Sequence, residues 1–386
     1  MDRRQFLKET AFTTGGGLLG LEAARSLRPG KALAESAAES VRVGIITEPG
    51  GQHLSWFTRA LGVLDGVEMV AAADESGEFF EQGREYLGPR ASEFQTYKDY
   101  RRMIGEVRPQ LVLMALEPVH TPPVVEAVLQ GGGHVLTDKP GCVRLSDFEK
   151  VARLAESKNL ELMLGLTNRI NPAARKAREL VESGLLGKLY GTSVHLVADH
   201  TRLTKPSYWT KWVASRERAG GGKLIYHGIH YLDLVHYIAG DTITEVAGFA
   251  EKVGDQPVDL EDSAVLAYRM SQGTVGTLNT GYYLPRGYST LVKFWGSLGW
   301  LQFDLAAGPP MTWYSTHPDA PGKVRSFYYP QEPNTYTLMM EEAVNAARGL
   351  GPFPITTRES LNSLRVVFAA YDAAREEASR TVAYSG

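Results

Sequence analysis

The sequence predicts an α/β protein in two parts: a doubly wound parallel sheet, then an α/β domain built on a large, mostly antiparallel open sheet. Three observations carry this. Between residues 41 and 166, short apolar β-rich runs alternate with helix-periodic segments, the pattern of strands joined by crossover helices. From about residue 191 to 304 the β-rich runs are longer and closer together, with turn signals such as "SQG" and "GSLG" between them. One helical stretch, "HGIHYLDLVHYIAG", interrupts that second region, and helical periodicity returns over residues 336–378 with a break at 349–354.

The first 34 residues stand apart. Arg3 and Arg4 precede Phe6, Leu7 and Lys8; a mildly apolar stretch follows at 10–21, and "ALA" at 32–34 supplies a small-x-small cleavage site. This order resembles a twin-arginine export signal and predicts a periplasmic protein that begins at Glu35. After it, "VRVGII" (41–46) reads as a strand and "HLSWFTRALGVL" (53–64) as a helix. "VEMVAAAD" (67–74) is a strand that ends in an acid, and "PQLVLMAL" (109–116) is a buried strand. "PPVVEAVLQGG" (122–132) places proline at a helix start and glycine at its end. "HVLTDKP" (134–140) is a strand and turn, "LSDFEKVARLAESKN" a helix and "LELMLGL" a strand.

Composition excludes several classes. The net charge of -3 and the lack of any basic stretch argue against nucleic acid, and no apolar run reaches the ~18 residues of a membrane span. The single cysteine, Cys142, allows no intrachain disulfide and reads as a small packing residue beside a turn.

Several motifs then fall in a recognisable order. "GGGHVLTDKP" (131–140) is similar to G-K-H-V-x-x-E-K-P, with Asp138 in place of glutamate. "TNRINP" (167–172) and "ESGLLGKL" (182–189) follow, and "GGGKLIYHGIHYLDL" (220–234) resembles G-G-G-x-x-x-D-x-G-x-H-x-x-D. Together they resemble the Gfo/Idh/MocA oxidoreductases over about residues 41–384. The resemblance implies a Rossmann domain at 41–166 and a substrate and oligomerisation domain at 167–386. It also implies hydride transfer between NAD or NADP and a carbinol carbon of a sugar, glycoside or cyclitol. The open sheet would cover the nicotinamide and mediate a homo-oligomer.

The departures from the family bear on the cofactor. In "GIITEPGGQHLSWF" (44–57), Thr47, Pro49 and Gln52 occupy the three fingerprint glycine positions, and Gly50 and Gly51 are shifted by one. Their amides, the Thr47 hydroxyl and the following helix N-terminus are candidate pyrophosphate donors, while Glu48 repels an anion and Pro49 lacks an N–H. Asp74 stands where the family's acid meets the ribose and favours NAD over NADP; it equally suits a helix cap. Ile46, Leu116, His120 in "ALEPVH", Asp138, Lys139 and Arg169 complete the cofactor positions the resemblance implies.

His230 matches the family's acid/base histidine, and a histidine moves protons near neutral pH. Lys139 faces nicotinamide and substrate in the family. Tyr226 replaces its aspartate, four residues before His230 on one helical face, where the lysine would lower the phenol's pKa. His227, His230, Asp233 and His236 fan around half a helix and so hold no single metal ion; Asp233 is expected to orient His230 or cap a neighbour. Trp209, Lys211, Tyr283 and Arg286 are the candidate sugar-binding residues. Three functions remain open: a dehydrogenase with retained cofactor, a redox-neutral enzyme using transient oxidation, and a sugar-binding protein with a degenerate loop.

Overall fold

A computed structural model describes residues 39–384, so the export-signal positions lie outside the described part. Six strands form the first sheet: β1 (Val41–Thr47), β2 (Val67–Ala73), β3 (Phe94–Tyr97), β4 (Leu111–Ala115), β5 (His134–Thr137) and β6 (Leu162–Leu164). All pair in parallel in the order β3-β2-β1-β4-β5-β6. Helices α1 (Leu54–Val63), α2 (Phe79–Leu87), α3 (Tyr100–Val107), α4 (Thr121–Gln130) and α5 (Leu145–Ser157) connect them. Burial on both faces explains the near-continuous apolar strands: Val43, Ile45, Val112, Leu113 and Val135 are almost wholly buried. Strand order reverses between β1 and β4, which opens a crevice at their carboxyl ends, the usual ligand site of such sheets.

The second sheet has nine strands. β7 (Leu189–Asp199) follows α6 (Pro172–Glu182); then come α7 (Ile229–Ala239), β8 (Ile243–Glu251), β9 (Ser263–Met270) and β10 (Val275–Leu284). β11 (Tyr288–Gly296), β12 (Gly299–Asp304), β13 (Gly308–Ser315) and β14 (Arg325–Phe327) extend one edge. α8 (Thr335–Ala347), α9 (Thr357–Glu376) and β15 (Arg380–Thr381) end the described chain. The order is β14-β13-β12-β11-β7-β10-β9-β8-β15, antiparallel except for the β7–β10 pair. β9 alternates buried and exposed residues, as a sheet with one open face requires. Among the described residues no helix is long and apolar enough to cross a membrane.

A buried ion pair ties these parts together. Arg169, in the short 3-10 turn Thr167–Ile170 that follows β6, grips Asp233 of α7 with two bonds, Nε to Oδ2 at 3.0 Å and Nη2 to Oδ1 at 2.5 Å. Its third arm reaches Glu359 of α9 at 2.8 Å, and Ser363 donates to Asp233 at 3.2 Å. The resemblance implied that Arg169 serves the cofactor, and helix spacing left Asp233 to orient His230 or cap a neighbouring segment. Instead both are consumed here, because a buried guanidinium and a buried carboxylate need each other. Asp233→Asn should therefore cost ~3–5 kcal/mol, the penalty for stranding a buried charge; a loss below ~1 kcal/mol in denaturant unfolding would show the pair to be dispensable.

Candidate active site

The loop "TEPGG" closes on itself. The Gly51 N–H donates to the Glu48 carbonyl at 3.0 Å, Pro49 takes the second position, and Gly50 the third with φ 87°. That is a type II turn, which needs a positive φ at Gly50. A Cβ on Gly51 would stand 2.4 Å from Thr47 Oγ1 and 2.7 Å from the Ala115 carbonyl oxygen, so nothing larger fits. Thr47 Oγ1 donates to the Ala115 carbonyl at 3.0 Å and stitches β1 to β4. The Thr47 hydroxyl and the Gly51 amide, expected as pyrophosphate donors, thus already have acceptors within the chain. The first-turn N–H groups of Leu54 and Ser55 in α1 remain, since a helix start leaves them without intrahelical acceptors.

Glu48 turns toward the neighbouring loop. Its carboxylate accepts the Glu117 N–H at 2.6 Å and meets His120 Nδ1 at 2.9 Å. Glu117 is in turn paired by both oxygens to Arg218. The acid that would repel a pyrophosphate is therefore partly compensated. Ile46 is buried at the end of β1, and Leu116 is half-buried just past β4, so both border the crevice. Asp74 takes the capping role: Oδ1 accepts the Ser76 N–H at 3.0 Å and hydroxyl at 2.7 Å, and Oδ2 accepts the Phe79 N–H at 2.9 Å.

The turn after β5 brings in the reacting groups. Asp138 meets His53 Nδ1 at 3.0 Å, which clamps the glycine loop to the D-K-P turn and holds the carboxyl low despite its burial. The His53 ring stacks on Tyr336 at 5.4 Å. Lys139 is 3% exposed. Its Nζ donates to the Tyr226 carbonyl at 2.9 Å and lies 3.3 Å from the centre of the Tyr226 ring. Burial pushes this ammonium down to about 8; Asp138 opposes the shift, and the Arg202 charge adds to it.

Tyr226 does not ionise as expected. The lysine meets its ring face and carbonyl, while its hydroxyl donates to Gln52 at 3.0 Å, and burial pushes the phenol up. His230 has a buried Nδ1 with no partner. Its pKa falls to about 3, through burial first and then the charges of Lys139 and His53.

The glycine signature shapes the helix that carries these residues. A Cβ on Gly221 would meet the Tyr371 hydroxyl at 2.2 Å, and one on Gly222 the Glu261 carbonyl oxygen at 2.0 Å. Glu261 accepts the N–H groups of Gly222 at 2.8 Å and Leu224 at 3.2 Å, and Tyr371 donates to it at 2.6 Å. The chain leaves this anchor as a π-turn, Leu224–Gly228, before α7. The wider turn places His227 beside Tyr226 and His230 along one cleft of about 410 Å³. His236 accepts the Ile243 N–H instead. Among the described residues no cluster of three or more metal-ligating side chains forms.

The substrate wall differs from the expected one. Trp209 spends its indole N–H on the Leu203 carbonyl at 2.6 Å, and Lys211, Tyr283 and Arg286 are exposed; none lines the cleft. Arg202, His227, Tyr288 and Tyr336 line it in their place. Strand alternation was the overlooked signal: Leu278 and Thr280 face inward, so Tyr282, not Tyr283, continues that face and meets His227 Nδ1 at 3.1 Å.

Residues 41–166 match the oxidoreductase family with an NAD-binding Rossmann fold, and residues 174–302 match the GFO/IDH/MocA C-terminal domain. The chain belongs to the GFO/IDH/MocA oxidoreductases. Among GFO/IDH/MocA relatives, myo-inositol 2-dehydrogenase of Thermotoga maritima is 21% identical over 342 residues, 88% of this chain and 98% of its own. Rhizopine catabolism protein MocA of Rhizobium meliloti is 23% identical over 342 residues, 85% of this chain and 93% of its own. The solved structure of levoglucosan dehydrogenase with NADH and levoglucosan has the same fold. It superposes with a TM-score of 0.79 at 17% identity, over 90% of this chain and 100% of that one.

Proposed function

We propose that the protein is an exported NAD-dependent dehydrogenase that oxidises a carbinol carbon of a sugar or cyclitol and retains its cofactor between turnovers. The observation that carries this is the buried Lys139, held near neutral pKa beside His230 in a tyrosine-walled cleft next to the crevice between β1 and β4. The polyols named for myo-inositol 2-dehydrogenase and levoglucosan dehydrogenase support the substrate class.

The residues present fit a dinucleotide with a changed set of contacts. Gly50, bare of neighbours, and the Leu54 and Ser55 amides would receive the pyrophosphate. The remaining lone pair of Asp74 Oδ2 would meet the ribose and disfavour a 2′-phosphate. NAD, when bound, supplies the hydride acceptor. The turn stitched by Thr47, Glu48 and Gly51 is rigid enough to hold what it covers, which suits an enzyme removed from the cytoplasmic nucleotide pool. Retention then requires reoxidation in place, by a second substrate or within a redox-neutral cycle.

Proton handling follows from the pKa directions. A general base works best with a pKa near the working pH. Lys139 at about 8 meets that condition, whereas His230 at about 3 does not. Lys139 as the free amine accepts the substrate hydroxyl proton as the carbon gives up its hydride. Neutral His230 orients that hydroxyl by hydrogen bonding. Tyr226 keeps its proton and positions Lys139 through its ring and carbonyl.

Single-turnover reduction of NAD-loaded protein, followed at 340 nm across a panel of polyols, tests this. The rate should rise with pH and level off above about 8, because protonated Lys139 cannot accept a proton. Lys139→Ala should lose ~10²-fold or more and abolish the rising limb, while His230→Ala slows turnover but keeps it. A limb that survives in Lys139→Ala assigns the base elsewhere.

Export and assembly share a second test. Replacing Arg3 and Arg4 with lysine should leave the uncleaved protein in the cytoplasm; mature protein still found outside the inner membrane would contradict the twin-arginine reading. Phe249, Val265, Val275 and Trp295 expose apolar surface on one face of the second sheet, which fits another copy of this chain. Light scattering of the mature protein should therefore report an oligomer, and a strict monomer removes that part of the reading.

A further inference from the structure

Arg202 and Lys139 line the cleft without an ion pair among the described residues, and Lys223 lies buried against Tyr282. Arg202 donates to the Tyr288 hydroxyl at 2.9 Å and lies 5.8 Å from the centre of the Tyr282 ring. Lys223, with no exposed surface, lies 4.4 Å from the centre of the same ring, and its Nζ has no hydrogen-bond partner. Lys139 touches only a carbonyl and a ring face. Two acids act on them from outside ion-pair contact: Asp138, bonded to His53, acts on Lys139, and Asp199, which accepts the Thr201 and Gly287 N–H groups, acts on Arg202. Among the described residues, none of these three basic groups forms an ion pair with a carboxylate, and burial first, then Arg202 and Lys139, press the Lys223 amine down to about 6.

Burying basic groups without a counter-charge is costly unless a ligand supplies it. A neutral polyol offers hydroxyl dipoles, which return little of that cost. A carboxylate returns much more, since a guanidinium fork binds it through two parallel bonds and its charge steadies every ammonium nearby. Arg202 has N–H groups left after its bond to Tyr288. The cofactor's phosphates are a less suitable occupant for these cations. Arg202 and Lys223 are placed against Tyr282 of β10 and Tyr288 of β11, whereas the phosphate-binding amides belong to α1 of the first sheet.

We propose that the substrate is a sugar acid whose carboxylate is received by Arg202, with the unpartnered Lys223 amine buried behind it against Tyr282. This rests on the dehydrogenase reading and narrows its substrate class.

The test is calorimetric titration of NAD-saturated protein with matched pairs: D-glucuronate and D-glucose, D-galacturonate and D-galactose, D-gluconate and D-glucitol. At least one acid should bind tenfold or more tightly than its neutral partner. Arg202→Gln should reduce that ratio to threefold or less, and Lys223→Met should reduce it partially, with NAD affinity changed by less than threefold in both. Equal or weaker binding of every acid, no binding of any acid, or a ratio that survives Arg202→Gln overturns the proposal. An equal loss of NAD affinity in the variants also overturns it, because the cations would then serve the cofactor. If wild-type protein binds no NAD, the dehydrogenase reading fails by itself, and the same acid-against-neutral comparison on the cofactor-free protein still decides the charge argument.

Discussion

The arrangement depends on one buried guanidinium. Arg169 leaves the last strand of the parallel sheet, grips Asp233 on the signature helix and reaches Glu359 on the long C-terminal helix. These contacts fix the helix that carries His230 against the domain that carries Lys139. The bidentate geometry fixes rotation as well as distance, so Tyr226 presents its ring face to the lysine. Burial in this placement lowers the Lys139 ammonium to about 8, well below a solvated lysine.

The cofactor loop shows a different economy. The usual glycine fingerprint leaves amides open for phosphate. Here one glycine amide closes the turn on itself, one hydroxyl ties it to β4, and a carboxylate reaches across to the next loop. His53 adds a tie to Asp138 that links the loop to the D-K-P turn.

Legibility in the sequence followed locality. The parallel sheet was visible because both faces of its strands are buried, leaving apolar runs; β3, "FQTY", was missed because only Phe94 is buried at that edge. Lys139, Tyr226 and His230 were visible because each lies in a compact motif. The details between them were not. The π-turn depends on Glu261 and Tyr371, far along the chain. Arg202, Tyr288 and Tyr336 reach the cleft from segments that carry no motif: Arg202 just past β7, Tyr288 at the start of β11, and Tyr336 in the first turn of α8. Asp74 fitted two roles equally in sequence, and only its three short contacts with Ser76 and Phe79 show how its oxygens are used.

The central claim is that this rebuilt loop still holds a nicotinamide dinucleotide, and holds it firmly. The most direct measurement is chromatography of the nucleotide released when protein purified without added cofactor is denatured. The account predicts NAD(H) in near-stoichiometric amount. Protein that releases none, and that binds neither NAD(H) nor NADP(H) in calorimetry, would contradict it and leave a sugar-binding protein with the fold but not the reaction.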